Sequence, residues 1–116
     1  MYIQFKKGIL ELCILALLKD SDRYGYDVAN ELSGSIGFAD GSVYPVLRRL
    51  RQDEAVTVYL AEASGGPPRK YYAITQKGRE MLTTLEEEWS TFCKQVNSIT
   101  NKNGAYSTDD NSEVDA

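Results

Sequence analysis

The hydrophobic period of this chain changes partway along, and the change limits the folds that it can adopt. From Val43 to Leu50, apolar residues recur at i, i+3, i+4 and i+7, which predicts one stripe of a helix. From Val56 to Leu60 they occupy alternate positions, which predicts a strand. The turn-forming "SGGPP" and the strand formers of "RKYYAIT" come next, so we expect a β-hairpin after the helix.

Two further helices are predicted before this segment. "KKGILELCILALLKD" is apolar on nearly every side, which is typical of a helix buried against several neighbours. "SDRYGYDVANELSG" predicts a shorter helix, capped by Ser21 or Asp22 and stopped by its final "SG". For the third helix, Asp40 or Ser42 is the expected cap, and Pro45 is expected in the first turn.

A fourth helix is predicted from Gln76 to about Ile99, with Thr75 as its N-cap. Its apolar residues are spaced 3, 4, 3, 4 and 3, the a/d seam of a helix that packs along another helix. A chain this short buries a modest core, so we expect the seam to form part of a homodimer interface. The seam consists of Leu82, Leu85, Trp89, Phe92, Val96 and Ile99.

The net charge of −4 is unevenly distributed along the chain. The last thirteen residues hold four acids and no base, whereas residues 36–79 hold seven bases and four acids. The local field decides whether phosphate is attracted, so the middle of the chain suits nucleic acid. The acidic end, residues 101–116, is expected to be a disordered tail.

The order of elements predicts a mainly α fold with a small β-hairpin. It is that of a winged helix-turn-helix followed by one long C-terminal dimerisation helix. The expected domains are a DNA-binding domain over residues 1–75, the dimerisation helix over 76–100, and the tail. In this fold the third helix enters the major groove, and the hairpin reaches the adjacent backbone or minor groove.

DNA contacts are expected from the solvent face of the third helix and from the basic flank of the hairpin. Arg51 is left open, because it can pair with Asp53 or Glu54 instead. Tyr71 and Tyr72 alternate faces, so one should pack inward, and two adjacent strand residues cannot form a stacking platform. The expected contacts are Tyr44, Arg48, Arg49, Arg69 and Lys70.

The chain resembles the PadR family of bacterial transcriptional regulators, specifically its small members with a single C-terminal helix. The matching segments are "YGYDVANEL", "GSVYPVLRRLR", "GPPRKYYAIT" with "QKGREML", and the tryptophan of "LEEEWSTF". Together they span roughly residues 5–99 in the family's order. One departure is Ala55, where the family usually has a glycine just after the third helix, and it concerns the local turn geometry.

The resemblance implies a homodimer that represses transcription at a pseudo-palindromic operator and that a small aromatic or lipophilic effector releases. It implies an effector pocket at the dimer centre, where Trp89 and Phe92 meet Phe5 and Gly8, although plain aromatic packing explains the first two equally well. It also implies DNA-binding positions: Tyr24 near the phosphates, Ser42, Tyr44, Pro45 and Arg48 on the recognition helix, and Arg69 and Lys70 on the wing.

Other classes of function lack the residues that they need. The chain has no histidine, no nucleophile beside a base, no phosphate-binding glycine motif and no metal-spaced ligand set, so we predict no enzyme, no cofactor and no metal. Cys13 is expected to be a reduced, buried thiol. No signal peptide or membrane-spanning run is recognised, so a cytoplasmic location is expected. The alternative function is a winged-helix module that binds a protein instead of DNA.

Overall fold

The computed structural model describes residues 3–62 and 65–101, and their side chains except those of residues 3–7 and 40. The chain divides into two compact units, Met1–Thr84 and Leu85–Ala116. A mainly helical chain with a small antiparallel sheet and a long C-terminal helix confirms the predicted fold class. The elements are α1 (Ile3–Asp20), β1 (Arg23–Tyr24), α2 (Gly25–Ile36), α3 (Asp40–Gln52), β2 (Val56–Ala61), β3 (Arg69–Ile74) and α4 (Gln76–Thr100).

The core of the first unit is built from the apolar stripes of its helices. Ile14 and Leu15 of α1 and Val28 of α2 are fully buried, and Leu82 in the first turns of α4 joins them. Each such side chain stabilises the fold by about 1.5–3 kcal/mol when it leaves water. The stripe predicted on α3 is buried throughout, and it consists of Val43, Val46, Leu47 and Leu50.

The sheet has three strands, not the two of the predicted hairpin. β3 lies at its centre, antiparallel to β2 on one side and to β1 on the other. β1 contains only Arg23 and Tyr24, which pair with Tyr72 and Tyr71 of β3. A strand of two residues is too short to show a period, and its partner is distant in the sequence, so local patterning missed it.

The short strand also displaces the start of α2. The helix begins at Gly25, and its N-cap is Tyr24, which is extended and makes no side-chain cap bond. The prediction of Ser21 or Asp22 as the cap is therefore wrong. Arg23 and Tyr24 pair with β3, so an extended segment separates Ser21 and Asp22 from the first turn of α2.

The end of α2 lies later than predicted, because Gly34 continues the helix. The helix runs to Ile36 and ends at Gly37, whose φ of 76° lies in the left-handed region. Glycine adopts this conformation without a Cβ penalty, so Gly37 provides the stop. Its N–H donates to the Ser33 carbonyl at 3.1 Å, and the next N–H, of Phe38, donates to the Leu32 carbonyl at 3.3 Å.

The start of α3 also differs from the prediction. Asp40 is already helical, and Ala39 is the N-cap, without a side-chain cap bond, so the prediction of Asp40 or Ser42 as the cap is wrong. Pro45 is consequently in the second turn and not the first. Its missing N–H leaves the Gly41 carbonyl without its i+4 donor, and this residue is exposed, so water can bond to the carbonyl.

Four residues join the turn after α3 to the start of α4, and we call them the Thr75 joint: Glu54, Ala55, Thr75 and Gly78. The Thr75 hydroxyl donates to the Glu54 carbonyl at 2.7 Å and accepts from the Gly78 N–H at 3.0 Å. The Thr75 N–H donates to the Ala55 carbonyl at 3.0 Å. The predicted N-cap of α4 is therefore confirmed, and the same side chain also fixes the turn after α3.

The second unit is described as far as Asn101. The predicted acidic tail lies outside the described residues, apart from Asn101, the residue at its start. Within the part of the chain that is described, no helix has the length and apolarity needed to cross a membrane.

Candidate nucleic-acid interface

A cleft of about 840 Å³ lies between α3 and the end of the sheet where β3 begins. Four cationic side chains and four tyrosines line it, with two prolines of the hairpin at its margin. We call it the basic cleft. Its lining includes Tyr24, Tyr26, Tyr44, Tyr72, Arg48, Arg51, Pro67, Pro68, Arg69 and Lys70.

The helix α3 presents one row of side chains to the basic cleft. Tyr44, Arg48 and Arg51 are spaced i, i+4 and i+7, so they lie on one face of the helix. The opposite stripe is buried in the core, and this burial fixes the rotation of the helix. Arg51, which the sequence left open, thus lies beside Arg48 in the cleft lining.

Arg49 lies apart from this row. Its guanidinium donates to the Glu11 carboxylate of α1, an ion pair in which both side chains are partly buried. Ser42 and Pro45 are exposed on α3 but are not among the residues that line the cleft. The expected contacts on the third helix therefore divide into Tyr44 and Arg48 in the cleft and the other three outside it.

The basic flank of the hairpin forms the opposite wall. Arg69 and Lys70, the first two residues of β3, are both exposed. The guanidinium carbon of Arg69 lies 4.9 Å from the centre of the Tyr24 ring. The cleft therefore brings three expected DNA contacts, Tyr24, Arg69 and Lys70, together with those on α3.

Four tyrosine rings form a row across the sheet and the first turn of α2, and we call it the tyrosine row: Tyr26, Tyr24, Tyr71 and Tyr59. Successive ring centres are 5.9, 6.1 and 5.8 Å apart, within the range of favourable aromatic pairs. The register of the sheet places Tyr24, Tyr71 and Tyr59 directly opposite one another on three strands. The sequence analysis missed this row, since only the pairing of β1 assembles it.

The two adjacent tyrosines of β3 do point to opposite faces, as expected. Tyr71 lies in the tyrosine row, whereas Tyr72 packs on the start of α2, 2.9 Å from the place where a Cβ of Gly25 would stand. Both side chains are half-buried. A side chain at Gly25 would therefore force Tyr72 to move away from the cleft wall.

The far end of the tyrosine row is tied by a hydrogen bond. The Tyr59 hydroxyl donates to a carboxylate oxygen of Asp22 at 2.7 Å. This hydrogen bond, together with the negative charge of Asp22, raises the pKa of Tyr59 above its usual value. Asp22 stands just before β1, so the bond links β2 to the segment that carries Tyr24.

The stripe on α4 is exposed over most of its length. Leu82 is 2% exposed and belongs to the core of the first unit, so the surface available to a partner begins at Leu85. Beyond it, exposure reaches 45% at Phe92 and 71% at Ile99. The stripe over the second unit consists of Leu85, Trp89, Phe92, Val96 and Ile99.

The residues expected at an effector pocket fall in both units. Trp89 and Phe92 form a tilted aromatic pair with ring centres 6.2 Å apart. Gly8 is exposed on α1, and a Cβ there would meet no atom within 4 Å. The side chain of Phe5 lies outside the described residues.

The cysteines and carboxylates form no metal site in the described ranges, where no group of three or more potential ligands converges. Cys13 and Cys93 are free thiols, both half-buried. Burial raises the pKa of the Cys13 thiol, which keeps it protonated.

Comparison with known proteins identifies one family. Residues 14–84 match the model of the transcriptional regulator PadR-like family. A PadR-like transcriptional regulator from Bacillus cereus is 35% identical and superposes with a TM-score of 0.76, covering 84% of this chain and 96% of that one. An uncharacterised protein from Lysinibacillus sphaericus is 36% identical over 88 residues, 72% of this chain and 81% of its own length.

The fold is also that of the PadR protein of Bacillus subtilis, solved in complex with operator DNA. That structure has a TM-score of 0.58 and 22% identity, and the similarity covers 66% of this chain and 45% of that one.

Proposed function

Because the chain belongs to the PadR-like family of transcriptional regulators, we propose that it is a homodimeric repressor that binds a pseudo-palindromic operator. Members of this family are non-enzymatic DNA-binding regulators, in agreement with the prediction that the chain is not an enzyme. Such a protein would act in the compartment that holds the DNA, which for a bacterial regulator is the cytoplasm.

The observation that carries the proposal is the basic cleft. It brings Arg48 and Arg51 of α3 within one concave surface with Arg69 and Lys70 of the sheet. A duplex seated there would meet positive charge from two walls, so phosphate contacts would supply much of the affinity. The overall charge of −4 is less relevant, because ions respond to the local field.

The two walls would have different tasks. Tyr44 and Arg48, on the helix that enters the major groove, would read base edges, where arginine bonds guanine in a bidentate manner. Arg69 and Lys70 on the hairpin would bind phosphates and contribute little to the choice of sequence. The same assignment places Ser42, in the first turn of α3, and Pro45, in the second turn, beside the duplex.

The exposed stripe of α4 supports the homodimer. Its apolar residues keep the a/d spacing from Leu85 to Ile99 and would be buried between two copies of the helix. The two recognition helices would then lie about 34 Å apart, one turn of DNA. A glutamate at Val96 should shift the protein to monomers in sedimentation analysis, whereas Lys94→Glu, off the seam, should not; a dimeric Val96→Glu protein would argue against this interface.

The effector would bind beside Trp89 and Phe92, with Phe5 and Gly8 as the expected opposite wall. A planar aromatic or lipophilic compound suits an aromatic pair, and it would act by favouring one arrangement of the dimer over another. Titration with a planar cationic dye should quench the fluorescence of Trp89, the single tryptophan. A flat titration would remove the effector from the proposal.

The experiment that tests DNA binding is selection from a randomised duplex library, followed by affinity measurements on the selected site. We expect a two-fold motif with half-sites one turn apart. Arg48→Ala should lose affinity mainly for the selected site, and Arg69→Ala should lose it on all sequences. Arg79→Ala, an exposed arginine of α4 outside the cleft, is the matched control. No enrichment at low salt would instead favour the module that binds a protein.

A further inference from the structure

The side chain of Arg69 does not extend freely into solvent. Its guanidinium carbon lies 4.9 Å from the centre of the Tyr24 ring, within the range of a cation–π interaction. Arg69 and Tyr71 are two residues apart on β3 and therefore share one face of the sheet, the face of the tyrosine row. Arg69 thus meets this row at Tyr24, one of its two rings that also line the basic cleft.

We propose that Tyr24 is a positioning residue for DNA binding, whose ring holds the Arg69 guanidinium in place at the wall of the basic cleft. The inference rests on the proposed function, since it names the part that one residue plays in binding DNA. It differs from the role that the family resemblance implies for Tyr24, which is a contact near the phosphates.

The physical reason lies in the shape of the arginine side chain. An exposed arginine samples many rotamers, and a phosphate contact must select one of them. A guanidinium that lies over a ring is already held, while those of its five N–H donors that point away from the ring can still bond to phosphate. The ring therefore lowers the entropic cost of binding and leaves the donors available for phosphate oxygens.

The ring itself is held from both sides. Tyr26 and Tyr71 flank Tyr24 at 5.9 and 6.1 Å, and backbone pairing fixes Tyr24 opposite Tyr71. At the far end of the row, the bond from Tyr59 to Asp22 secures the segment that precedes β1. The tyrosine row therefore supports the ring over which the Arg69 guanidinium lies.

The test measures affinity for the selected operator as a function of salt concentration. Tyr24→Leu removes the ring and should weaken binding about two- to fivefold, the range of an exposed cation–π interaction. Tyr24→Phe keeps the ring and should bind as the wild type does. Arg69→Ala should reduce the dependence of log K on log salt by about one. In the Arg69→Ala background, Tyr24→Leu should have no further effect.

Additive losses from Tyr24→Leu and Arg69→Ala would overturn the proposal, because the two residues would then act independently. A loss in Tyr24→Phe would also overturn it and would assign the hydroxyl to a direct phosphate contact. A wild-type protein that binds no duplex would instead refute the proposed function, and the two failures are thereby distinguished.

A second pair of variants separates loss of the contact between Arg69 and Tyr24 from misfolding of the sheet. Arg69→Lys keeps the charge and leaves all four rings of the tyrosine row in place, but it removes the guanidinium that lies over the Tyr24 ring. It should weaken binding, because an ammonium keeps less of the contact with the ring, and Tyr24→Leu should weaken it less than it weakens the wild-type protein. An equal effect of Tyr24→Leu in both backgrounds would show that the loss does not depend on the guanidinium and would refute the positioning role. Circular dichroism and thermal unfolding confirm that each variant is folded.

Discussion

Replacing Gly78 by alanine should destabilise the protein more than any other glycine-to-alanine change on a described helix. Gly78 is buried at the Thr75 joint, in the first turn of α4. A Cβ there would stand 2.8 Å from Cγ1 of Ile74 and 3.0 Å from the carbonyl carbon of Ala55, and closer still to the oxygen of that carbonyl. Two of these three atoms are backbone, so no change of rotamer can relieve the overlap.

The magnitude follows from what must move. Overpacking of a well-filled site costs about 1–3 kcal/mol. Displacing the Ala55 carbonyl also breaks its bond from the Thr75 N–H, and a buried carbonyl without a partner costs about 1–3 kcal/mol. Alanine returns about 1 kcal/mol through its higher helix propensity. The net loss is therefore about 3 kcal/mol, which lowers the melting temperature of a chain of this size by more than about 10 °C.

The assay is thermal unfolding followed by far-ultraviolet circular dichroism at one fixed protein concentration, since the midpoint of the proposed dimer would depend on concentration. Gly34→Ala is the matched control, because Gly34 is also helical but has no atom within 4 Å of its Cβ position. That variant should be neutral or more stable by up to about 1 kcal/mol. A Gly78→Ala protein that melts with the wild type would refute the close approach of α4 to the turn after α3.

Three further predictions follow from individual contacts. Glu54→Gly should stabilise the protein by about 0.5–1 kcal/mol in urea unfolding. Glu54 has a φ of 63°, which strains a residue with a Cβ. Relief of this strain should exceed the free energy that glycine costs by making the unfolded chain more flexible. Stability should fall above pH 10 more steeply in the wild type than in Tyr59→Phe. The hydrogen bond to Asp22 raises the pKa of Tyr59, so its contribution is present below the unfolded pKa of about 10 and is lost as pH rises through the folded value; equal slopes would show that the bond is absent in solution. Arg49→Ala should weaken operator binding less than Arg48→Ala in the same titration, because only Arg48 lines the basic cleft, and the reverse order would move the DNA to the other side of α3.

Local sequence patterns were sufficient to predict the features that depend on residues close together in the sequence. The stripe from Val43 to Leu50 is buried as its spacing indicates, and Thr75 caps α4 as its hydroxyl allows. The hairpin of β2 and β3 follows from alternation and from the turn residues between them. The row of Tyr44 and Arg48 could be expected from the burial of the opposite face of α3.

Features that depend on distant pairing could not be predicted in this way. The strand β1 forms because Tyr24 pairs with Tyr71 across the sheet, and this pairing is what brings the Tyr24 ring beside the Tyr71 ring. Arg49 likewise looked like an exposed cation on α3, because its partner Glu11 lies on another helix. In each case the sequence gives the side chain but not the neighbour that decides its role.

The turn after α3 shows which residue takes the left-handed conformation. The resemblance described above implies a glycine at the position of Ala55, yet the residue with left-handed φ is Glu54, and Ala55 is fully buried. The Ala55 N–H donates to the Leu50 carbonyl at 2.9 Å, and the Glu54 carbonyl accepts from the Thr75 hydroxyl. These bonds offset a strain of about 1–2 kcal/mol at Glu54. Glycine would therefore relieve strain at residue 54, and at residue 55 it would only remove a buried methyl group.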